Sequence, residues 1–198
     1  SDRFPGILGT AIVKVFGYTV ARAGLTEQQA RDKGYEVASC VVPGADRPHY
    51  YPGSKPIILK LIADAKTRKV LGCQIIGPGE AARRVDVLAT AMSLGATVDQ
   101  VANLDLAYAP PYSEALDNVI MAANVLRNVM DGVAAKVSAA EVKARMDRGE
   151  DFLLLDVRSP QEYEAAHIED PRVKLIPLGK LRGSLASLPK DKRIVTFC

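Results

Sequence analysis

The sequence predicts an α+β domain, in which helices accompany an antiparallel meander of strands, followed by part of a smaller α/β domain. Strand-like runs at residues 36–42, 57–63 and 70–76 support the meander, because the polar stretch 64–69 joins the last two as a hairpin. The smaller domain is indicated by the final residues, where a basic turn leads into a short β-branched strand that ends at Cys198. Open α/β sheets place their chemistry at such strand ends.

The composition is that of a globular protein and excludes several classes of partner. Of the 198 residues, 48% are hydrophobic and 25% are charged, and the net charge is only +3. A nucleic-acid partner therefore has no electrostatic support. The sequence has no apolar run of about 18 residues, so we expect no membrane partner. Residues 1–6 also lack the basic and then apolar pattern of a signal peptide.

The three cysteines, Cys40, Cys73 and Cys198, lie far apart in the sequence. No CxxC motif or Cys/His cluster accompanies them, so the sequence predicts neither a disulfide framework nor a metal site. Unpaired cysteines favour a cytoplasmic location. We interpret Cys40 and Cys73, which fall within strand-like runs, as small hydrophobic residues of the core.

The first predicted helix covers residues 27–33. Thr26 and Gln29 have the spacing of a capping box, in which each side chain accepts a hydrogen bond from the backbone of the other. Gly34 then supplies the left-handed turn that ends the helix.

A second helix is predicted at residues 81–94, because apolar residues recur there at helical spacing. Thr97 and Gln100 follow it with the spacing of a second capping box. The stripe of this helix consists of Val85, Leu88, Ala89 and Met92.

A third helix is predicted to run from Ser113, as its cap, to about Met130. It carries two apolar stripes, and a helix this apolar must be buried on two sides. We expect a second subunit to cover one of these sides at a two-fold interface. The stripes consist of Ala115, Val119, Ala122, Leu126 and Val129, and of Leu116, Ile120, Ala123 and Met130.

Two stretches between these elements are candidate functional loops. The connection 43–56 is too long for a tight turn, and it contains Tyr50 and Tyr51. Long ordered loops often carry function. The stretch 106–113 contains two consecutive prolines, which forbid a helix, so we expect it to be rigid and extended.

The expected boundaries place the first domain at residues 1–131, a short linker at 132–137 and the second domain at 138–198. An Asp-Gly turn ends the first domain. Ser138 and Glu141 have the spacing of a third capping box, which opens the first helix of the second domain.

Residues 153–168 contain an apolar strand, then Asp-Val-Arg, a Glu-Tyr pair and a His-Ile pair. A further strand ends at Pro177, and the last strand ends at Cys198. In this order and spacing, residues 138–198 resemble the first half of a rhodanese domain, and Cys198 falls on the sulfur-carrying cysteine. The resemblance implies an α/β domain truncated at its active-site cysteine, because the loop whose amides would stabilise the thiolate is missing. We expect a piece of a longer polypeptide that is inactive by itself.

A second resemblance is carried by segments 9–12, 24–27, 50–53, 70–77 and 108–113, the last of which reads Tyr-Ala-Pro-Pro-Tyr-Ser. These segments are similar to the C-terminal dimerisation domain of the pyridine-nucleotide disulfide oxidoreductases. Within that family, coenzyme A disulfide reductases and related NADH oxidases and persulfide reductases are the subfamily that the sequence resembles. The fusion to a rhodanese domain narrows the resemblance to coenzyme A disulfide reductase–rhodanese proteins.

The combined resemblance implies an FAD-dependent NAD(P)H oxidoreductase that reduces coenzyme A disulfide or persulfide, with sulfur carried by the rhodanese domain. It implies a homodimer with a small-molecule thiol, disulfide or persulfide substrate. FAD and NAD(P)H would be bound mostly by domains that precede this sequence, with residues 1–9 as the tail of the FAD domain. The alternatives are an NADH oxidase or peroxidase with the same fusion, and a non-catalytic dimerisation and sulfur-binding module.

The resemblance assigns catalytic roles to Cys198, Tyr108 and Tyr50, and substrate-binding roles to Tyr112 and Tyr51. In the family, tyrosines of this domain reach across the dimer to the cysteine–coenzyme A sulfur of the partner. A phenol can donate a hydrogen bond to a developing thiolate without holding a full charge. The alternative is that these are packing tyrosines whose hydroxyls are satisfied within the domain.

The remaining polar residues are expected to have structural roles. We interpret Asp156 and Arg158 as a charged pair that braces a strand end, and His167 as a packing residue at a helix end. Arg22, Arg83 and Arg84 could contact coenzyme A phosphates, but we expect them to be solvated surface residues.

Overall fold

The computed structural model describes Phe4 and residues 6–198. The chain divides into two units, one that extends to Ala135 and one that covers Lys136–Cys198. The described part of the first unit contains strands β1 (Ala11–Val15), β2 (Tyr18–Gly24), β3 (Val37–Ala45), β4 (Pro56–Asp64) and β5 (Val70–Gly77). Its helices are α1 (Glu27–Asp32), α2 (Ala82–Ser93), α3 (Val98–Ala102) and α4 (Asn118–Met130).

The strands of the first unit form an antiparallel sheet in the order β1-β2-β5-β4-β3. Side chains alternate between its two faces, and α2 and α4 cover one face. On that face, one row across four strands consists of Ala21, Ile75, Leu59 and Val42, each at most 8% exposed. On the other face, Val20, Ile76 and Ile58 form a row that stays exposed. The predicted α+β domain with an antiparallel meander is confirmed.

Strands β1 and β2 were not predicted from the sequence. The turn between them uses Phe16, at a φ of 52°, and Gly17 rather than the Asn-Gly or Asp-Gly signal of a tight hairpin. The inward side chains of β2 are the alanines Ala21 and Ala23, which leave room for α2 but give a weak strand signal. Strand β3 also continues through Pro43, which is tolerated because β3 lies at the edge of the sheet.

Helix α4 differs from its prediction at its start and in its surroundings. It begins at Asn118, because the Asp117 carboxylate accepts a hydrogen bond from the Val119 amide at 3.0 Å and caps the helix in place of Ser113. Both predicted stripes are buried within the chain: Val119, Ala122 and Leu126 of one and Ile120 and Ala123 of the other. The helix packs against α3, β3, β4 and α2.

The first unit covers the middle of both stripes by itself, so an acidic residue at Val119 or Ala122 would disrupt the core of a single chain. Ala115 and Leu116, at the start of the predicted stripes, stay exposed, and the place of this segment at a two-fold interface stays a prediction. Among the large apolar residues of this helix region, Leu116 and Met121 remain exposed, at 55% and 39%.

Residues 136–198, all of which the structure describes, form a parallel three-stranded sheet in the order β7-β6-β8. The strands are β6 (Phe152–Asp156), β7 (Val173–Leu175) and β8 (Arg193–Phe197). The helices are α5 (Ala139–Asp147), α6 (Pro160–Ala165) and α7 (Leu178–Ser184). The buried side chains of central strand β6, such as Leu154 and Leu155, anchor the sheet, and the predicted α/β part is confirmed.

Two of the three predicted capping boxes are present in full, at Thr26 with Gln29 and at Thr97 with Gln100. At the third, the Ser138 hydroxyl accepts a hydrogen bond from the Glu141 amide, but the Glu141 carboxylate pairs with Arg145 instead of the cap. A reciprocal capping box that was not predicted opens α6 after Arg158.

Glu27 provides a test of the contact between α1 and the outer face of the sheet. Its carboxylate accepts hydrogen bonds from Arg31 and Ser39 and lies 2.7 Å from the Lys60 ammonium, and these contacts, that with Lys60 above all, lower its pKa from 4.5 to about 2. Glu27→Gln should lower the free energy of unfolding at pH 7 by roughly 1 kcal/mol, as for other partly exposed pairs. Because the pKa is lower in the folded state, this loss should vanish as the pH falls from 4.5 to 2.

Urea unfolding followed by circular dichroism at several pH values measures this difference. Glu36→Gln is the control, since the ion pair of Glu36 with Lys66 is longer, at 3.7 Å, and more exposed. A loss for Glu27→Gln that is the same at pH 7 and pH 2 would contradict the assignment.

Candidate active site

Asp46 closes the base of the first candidate loop. Its buried carboxylate accepts hydrogen bonds from the amides of Lys55, at 3.0 Å, and Glu80, at 3.1 Å, and its own amide donates to the Lys55 carbonyl. Burial opposes the charge of Asp46, but these bonds and the guanidinium of Arg47 outweigh it, so its pKa lies below the ordinary value. The loop is thus held to the sheet and to the start of α2 by one carboxylate.

The tip of this loop presents the first two predicted tyrosines. Tyr50 is exposed and Tyr51 is half-buried. The Tyr51 amide donates to the Pro48 carbonyl at 2.9 Å, and the Ser54 hydroxyl donates to the Arg47 carbonyl at 2.9 Å. These internal bonds make the loop an ordered turn.

The second candidate loop carries Tyr108 and Tyr112. It has no regular secondary structure up to Ala109 and then turns, because the Ala109 carbonyl accepts hydrogen bonds from the amides of Tyr112 and Ser113 at 2.9 and 3.2 Å. The extended conformation predicted for 106–113 is therefore wrong at the two prolines. Ser113 is buried and fixes the turn, whereas Tyr112 is 68% exposed. Ser113 was predicted to cap α4 and instead anchors this loop.

The structure brings Tyr50 and Tyr108 together from the two loops. Tyr108 is half exposed, and its hydroxyl lies near that of Tyr50. Burial, then the nearby Tyr50 hydroxyl and the Glu114 carboxylate, raise the pKa of Tyr108 above its ordinary value. The ring of His49 packs edge-on against Tyr50 with ring centroids 5.7 Å apart. Two neighbouring phenols that face solvent can offer a proton donor to a bound group.

Arg84 was predicted to be a solvated surface residue, and this is wrong. It is 1% exposed, and its guanidinium contacts Glu80, Asp46 and Asp117. The neighbouring Arg83 is partly exposed and also reaches the Asp117 carboxylate, at 2.9 Å. Sequence reasoning missed Arg84 because two of its three partners, Asp46 and Asp117, come from distant segments, and no local pattern indicates a buried arginine.

The link between β5 and α2 has the spacing G-x-G-x-x-A, beginning at Gly77, although the sequence was predicted to contain no dinucleotide fingerprint. In the structure the glycines of this link pack against backbone and form no open cradle for a phosphate. A Cβ atom at Gly77 would clash with the Pro56 carbonyl, and one at Gly79 would lie 2.8 Å from the Lys55 carbonyl, so the glycines serve close backbone packing. The first turn of α2 is also occupied by a carboxylate of the chain, since Glu80 accepts a hydrogen bond from the Arg83 amide at 3.0 Å.

In the second unit, Cys198 follows β8 at the carboxyl edge of the parallel sheet and is exposed. The Asp156–Arg158 pair lies at the same edge, since Asp156 is in register with Phe197. The Arg158 guanidinium donates to the buried Asp156 carboxylate at 2.8 Å and to the Ala166 carbonyl at 2.8 Å. These bonds lower the pKa of Asp156, and Asp156, Glu162 and Cys198 all contribute to the raised pKa of Arg158. The predicted Asp156–Arg158 pair is present. The Arg158 guanidinium is close enough to Cys198 for the two groups to interact electrostatically.

The charged residues before β7 form a second ion pair in this unit. Arg172 contacts Asp170 at 2.7 Å, and its hydrogen bonds lower the pKa of Asp170 to about 2. Its guanidinium also lies over the Phe152 ring, 5.3 Å from the centroid. His167 stacks on Tyr163 with centroids 4.4 Å apart, which agrees with its interpretation as a packing residue.

The other two cysteines are buried in the first unit, as predicted. Burial raises the pKa of the Cys73 thiol to about 11, so Cys73 stays protonated and unreactive at neutral pH. In the described part of the chain, no group of three or more His, Cys, Asp or Glu residues could hold a metal ion. Among the same residues, no helix has the length and apolar character needed to span a membrane.

An antiparallel sheet with helices on one face, followed by a parallel sheet whose edge carries a cysteine, defines an α+β dimerisation-type domain joined to a rhodanese-like unit. The chain belongs to the pyridine nucleotide-disulphide oxidoreductase dimerisation-domain family, whose model matches residues 10–120. The rhodanese-like domain model matches residues 138–198. Both predicted resemblances are confirmed.

Two curated relatives are similar to the first unit. The NAD(P)H coenzyme A polysulfide/persulfide reductase of Pyrococcus horikoshii is 40% identical over 124 residues, which is 63% of this chain and 28% of the relative. The coenzyme A disulfide reductase of Staphylococcus aureus strain JH9 is 38% identical over 118 residues, 60% of this chain and 26% of the relative. The chain thus spans little more than a quarter of either relative.

Solved structures match nearly the whole chain. An NAD-dependent persulfide reductase from A. fulgidus is 47% identical with a TM-score of 0.89, over 98% of this chain and 34% of that chain. A reduced CoADR-RHD from Bacillus anthracis is 35% identical with a TM-score of 0.90, over the same shares. A water-forming NADH oxidase from Lactobacillus brevis, 18% identical with a TM-score of 0.64 over 67% of this chain and 30% of that chain, shows the fold alone.

The contact between the two phenols makes a prediction about titration. Because the Tyr50 hydroxyl contributes to the raised pKa of Tyr108, Tyr50→Phe should shift the pKa of Tyr108 down toward its ordinary value. Fluorine NMR of protein labelled with 3-fluorotyrosine measures this, with the Tyr108 signal assigned by its loss in Tyr108→Phe. Tyr35→Phe, in the connection before β3, is the control and should leave the Tyr108 signal unchanged. An unchanged pKa in Tyr50→Phe would refute the pairing.

Proposed function

We propose that this chain is the C-terminal part of an FAD-dependent NAD(P)H oxidoreductase that reduces coenzyme A disulfide or persulfide, with sulfur carried on Cys198. The observation that carries the proposal is the placement of the Tyr50 and Tyr108 phenols near each other, on two anchored loops and open to solvent. Relatives named as coenzyme A disulfide and persulfide reductases support the substrate class. Residues 1–9 would be the tail of the preceding FAD domain.

The phenols would act on the sulfur that leaves as a thiolate. When a disulfide is cleaved by a thiolate, the departing sulfur takes the electron pair and gains negative charge. A phenol that stays protonated can donate a hydrogen bond to that sulfur as the charge develops. A tyrosine is protonated at neutral pH, and the direction in which the pKa of Tyr108 is shifted, upward, leaves it in the donating form. Tyr51 and Tyr112, at the edges of the same two loops, would contact the rest of the substrate.

FAD and NAD(P)H, which supply the electrons in the full-length enzyme, would be held by other parts of the polypeptide, since the link after β5 does not fit a nucleotide. We further propose a homodimer, on the basis of the dimerisation-domain family, and a cytoplasmic location. In the dimer, the tyrosines of one subunit would face the reactive cysteine of the other.

An NADH oxidase or peroxidase is the second candidate, because the fold is shared with a water-forming NADH oxidase. The rhodanese-like unit favours sulfur chemistry over oxygen, since its exposed cysteine beside a guanidinium suits transfer of a sulfur atom. Turnover of the full-length protein with coenzyme A disulfide and persulfide, compared with oxygen and peroxide, separates these functions. A non-catalytic module would turn over none of them.

Tyr108→Phe in the full-length enzyme should lower the turnover number with coenzyme A disulfide by about 100-fold, because one donor to the developing thiolate is lost. The rate of flavin reduction by NAD(P)H should not change. Stopped-flow and steady-state kinetics measure both rates, and Tyr35→Phe is the matched control. An unchanged turnover number would assign Tyr108 to packing.

Cys198→Ser should abolish sulfur transfer in the full-length protein without changing flavin reduction. The Cys198 thiolate would attack the outer sulfur of thiosulfate, form a persulfide and release sulfite, so mass spectrometry should find one added sulfur on the peptide that holds Cys198. Cys73→Ser is the control, because Cys73 is buried. Sulfur found on Cys40 or Cys73, or sulfur transfer that persists in the Cys198→Ser protein, would refute the role.

A further inference from the structure

The guanidinium of Arg84 connects the two loops that carry the paired tyrosines. Its Nη2 atom donates to the Asp46 carbonyl at 2.7 Å and lies 2.9 Å from the Asp117 carboxylate. Asp46 stands at the base of the Tyr50 loop, and Asp117 lies between the Tyr108 loop and α4. The Nη2 atom of Arg84 therefore holds Asp46, on the Tyr50 loop, at a fixed distance from Asp117, which follows the Tyr108 loop.

The guanidinium is itself fixed from its other side. Its Nη1 atom donates to the carbonyl and the carboxylate of Glu80, at 2.7 and 2.9 Å. The described contacts of Arg84 go to Asp46, Glu80 and Asp117, and its buried Nε has no partner among the described residues. A planar guanidinium that is held at both ends cannot rotate. It therefore fixes the distance between Asp46 and Asp117 and does more than attract a charge.

Stability alone does not explain a buried arginine at this position. Replacing a buried ion pair by apolar residues of similar volume is often neutral or stabilising, and an unpaired N–H adds a further cost. Asp117 would also keep one cation without Arg84, because Arg83 reaches the same carboxylate from the surface. What Arg84 adds, and Arg83 does not, is the bond to the Asp46 carbonyl.

We infer that Arg84 is a positioning residue for the candidate site: its guanidinium holds the Tyr50 and Tyr108 loops in the register that brings their hydroxyls together. The inference rests on the proposed function only for its kinetic consequence. Loss of Arg84 should separate the phenols, and a misplaced donor lowers the rate without removing any reacting group.

The test compares Arg84→Met, Arg84→Lys and the control Arg83→Met in the full-length protein. Methionine keeps much of the volume but no donor, whereas lysine keeps the charge and folds more readily, but its compact ammonium lacks the planar fork that joins Asp46, Glu80 and Asp117. Fluorine NMR with 3-fluorotyrosine reports the pKa of Tyr108 and needs no turnover. Kinetics with coenzyme A disulfide are measured in the wild-type and Tyr50→Phe backgrounds.

Both Arg84 variants should shift the pKa of Tyr108 downward, as Tyr50→Phe does, and lower turnover by roughly tenfold or more. In the Tyr50→Phe background, the Arg84 substitutions should cause little further loss, since the pair is already broken. Arg83→Met should leave the pKa of Tyr108 unchanged and turnover within about twofold of wild type.

An unchanged Tyr108 pKa in folded Arg84→Lys protein would overturn the inference, as would an equal loss of turnover in both backgrounds or in Arg83→Met. If wild-type protein does not turn over coenzyme A disulfide or persulfide, the proposed function fails. The response of the Tyr108 signal to Arg84 substitution then decides the positioning role by itself.

Discussion

The first unit depends on one buried guanidinium, that of Arg84, which donates to the Asp46 backbone carbonyl and pairs with the Asp117 carboxylate. The carboxylates of both aspartates have structural roles of their own, because that of Asp46 closes a loop of the sheet and that of Asp117 caps α4. Removing one partner of a buried ion pair typically costs about 3–5 kcal/mol, because the other charge is left without compensation. The sheet, the start of α2 and the start of α4 are therefore coupled through a single side chain.

The segment between β5 and α2 is closed by groups of the chain itself. The amino end of α2, which in nucleotide-binding folds receives a phosphate, is here occupied by the Glu80 carboxylate, and the Asp46 carboxylate accepts from the Glu80 amide just before it. Gly77 and Gly79 bring backbones into contact instead of leaving a cradle. What the domain can supply is a pair of oriented side chains, and its anchored loops place Tyr50 and Tyr108 for that role.

The sequence predicted those features that depend on local patterns or on family resemblance. The capping boxes at Thr26 and Thr97 and the strands β4 and β5 follow from spacing alone. The tyrosines were selected by resemblance, and only the structure shows that two of them meet. Features set by distant partners escaped prediction. Arg84 is charged, and a charged residue is expected at the surface unless partners from other segments, here Asp46 and Asp117, enclose it.

Helix α4 shows that apolar patterns, too, do not identify which distant elements a residue packs against. Its two stripes predicted burial on two sides, and that is observed, but periodicity cannot say which elements provide the cover. Strands β3 and β4 and helices α2 and α3 provide that cover for the middle of α4, whereas Leu116 and Met121 stay exposed. The exposed apolar row of Val20, Ile58 and Ile76 lies on the sheet face opposite α4, so the first unit presents apolar side chains to solvent on two separate surfaces.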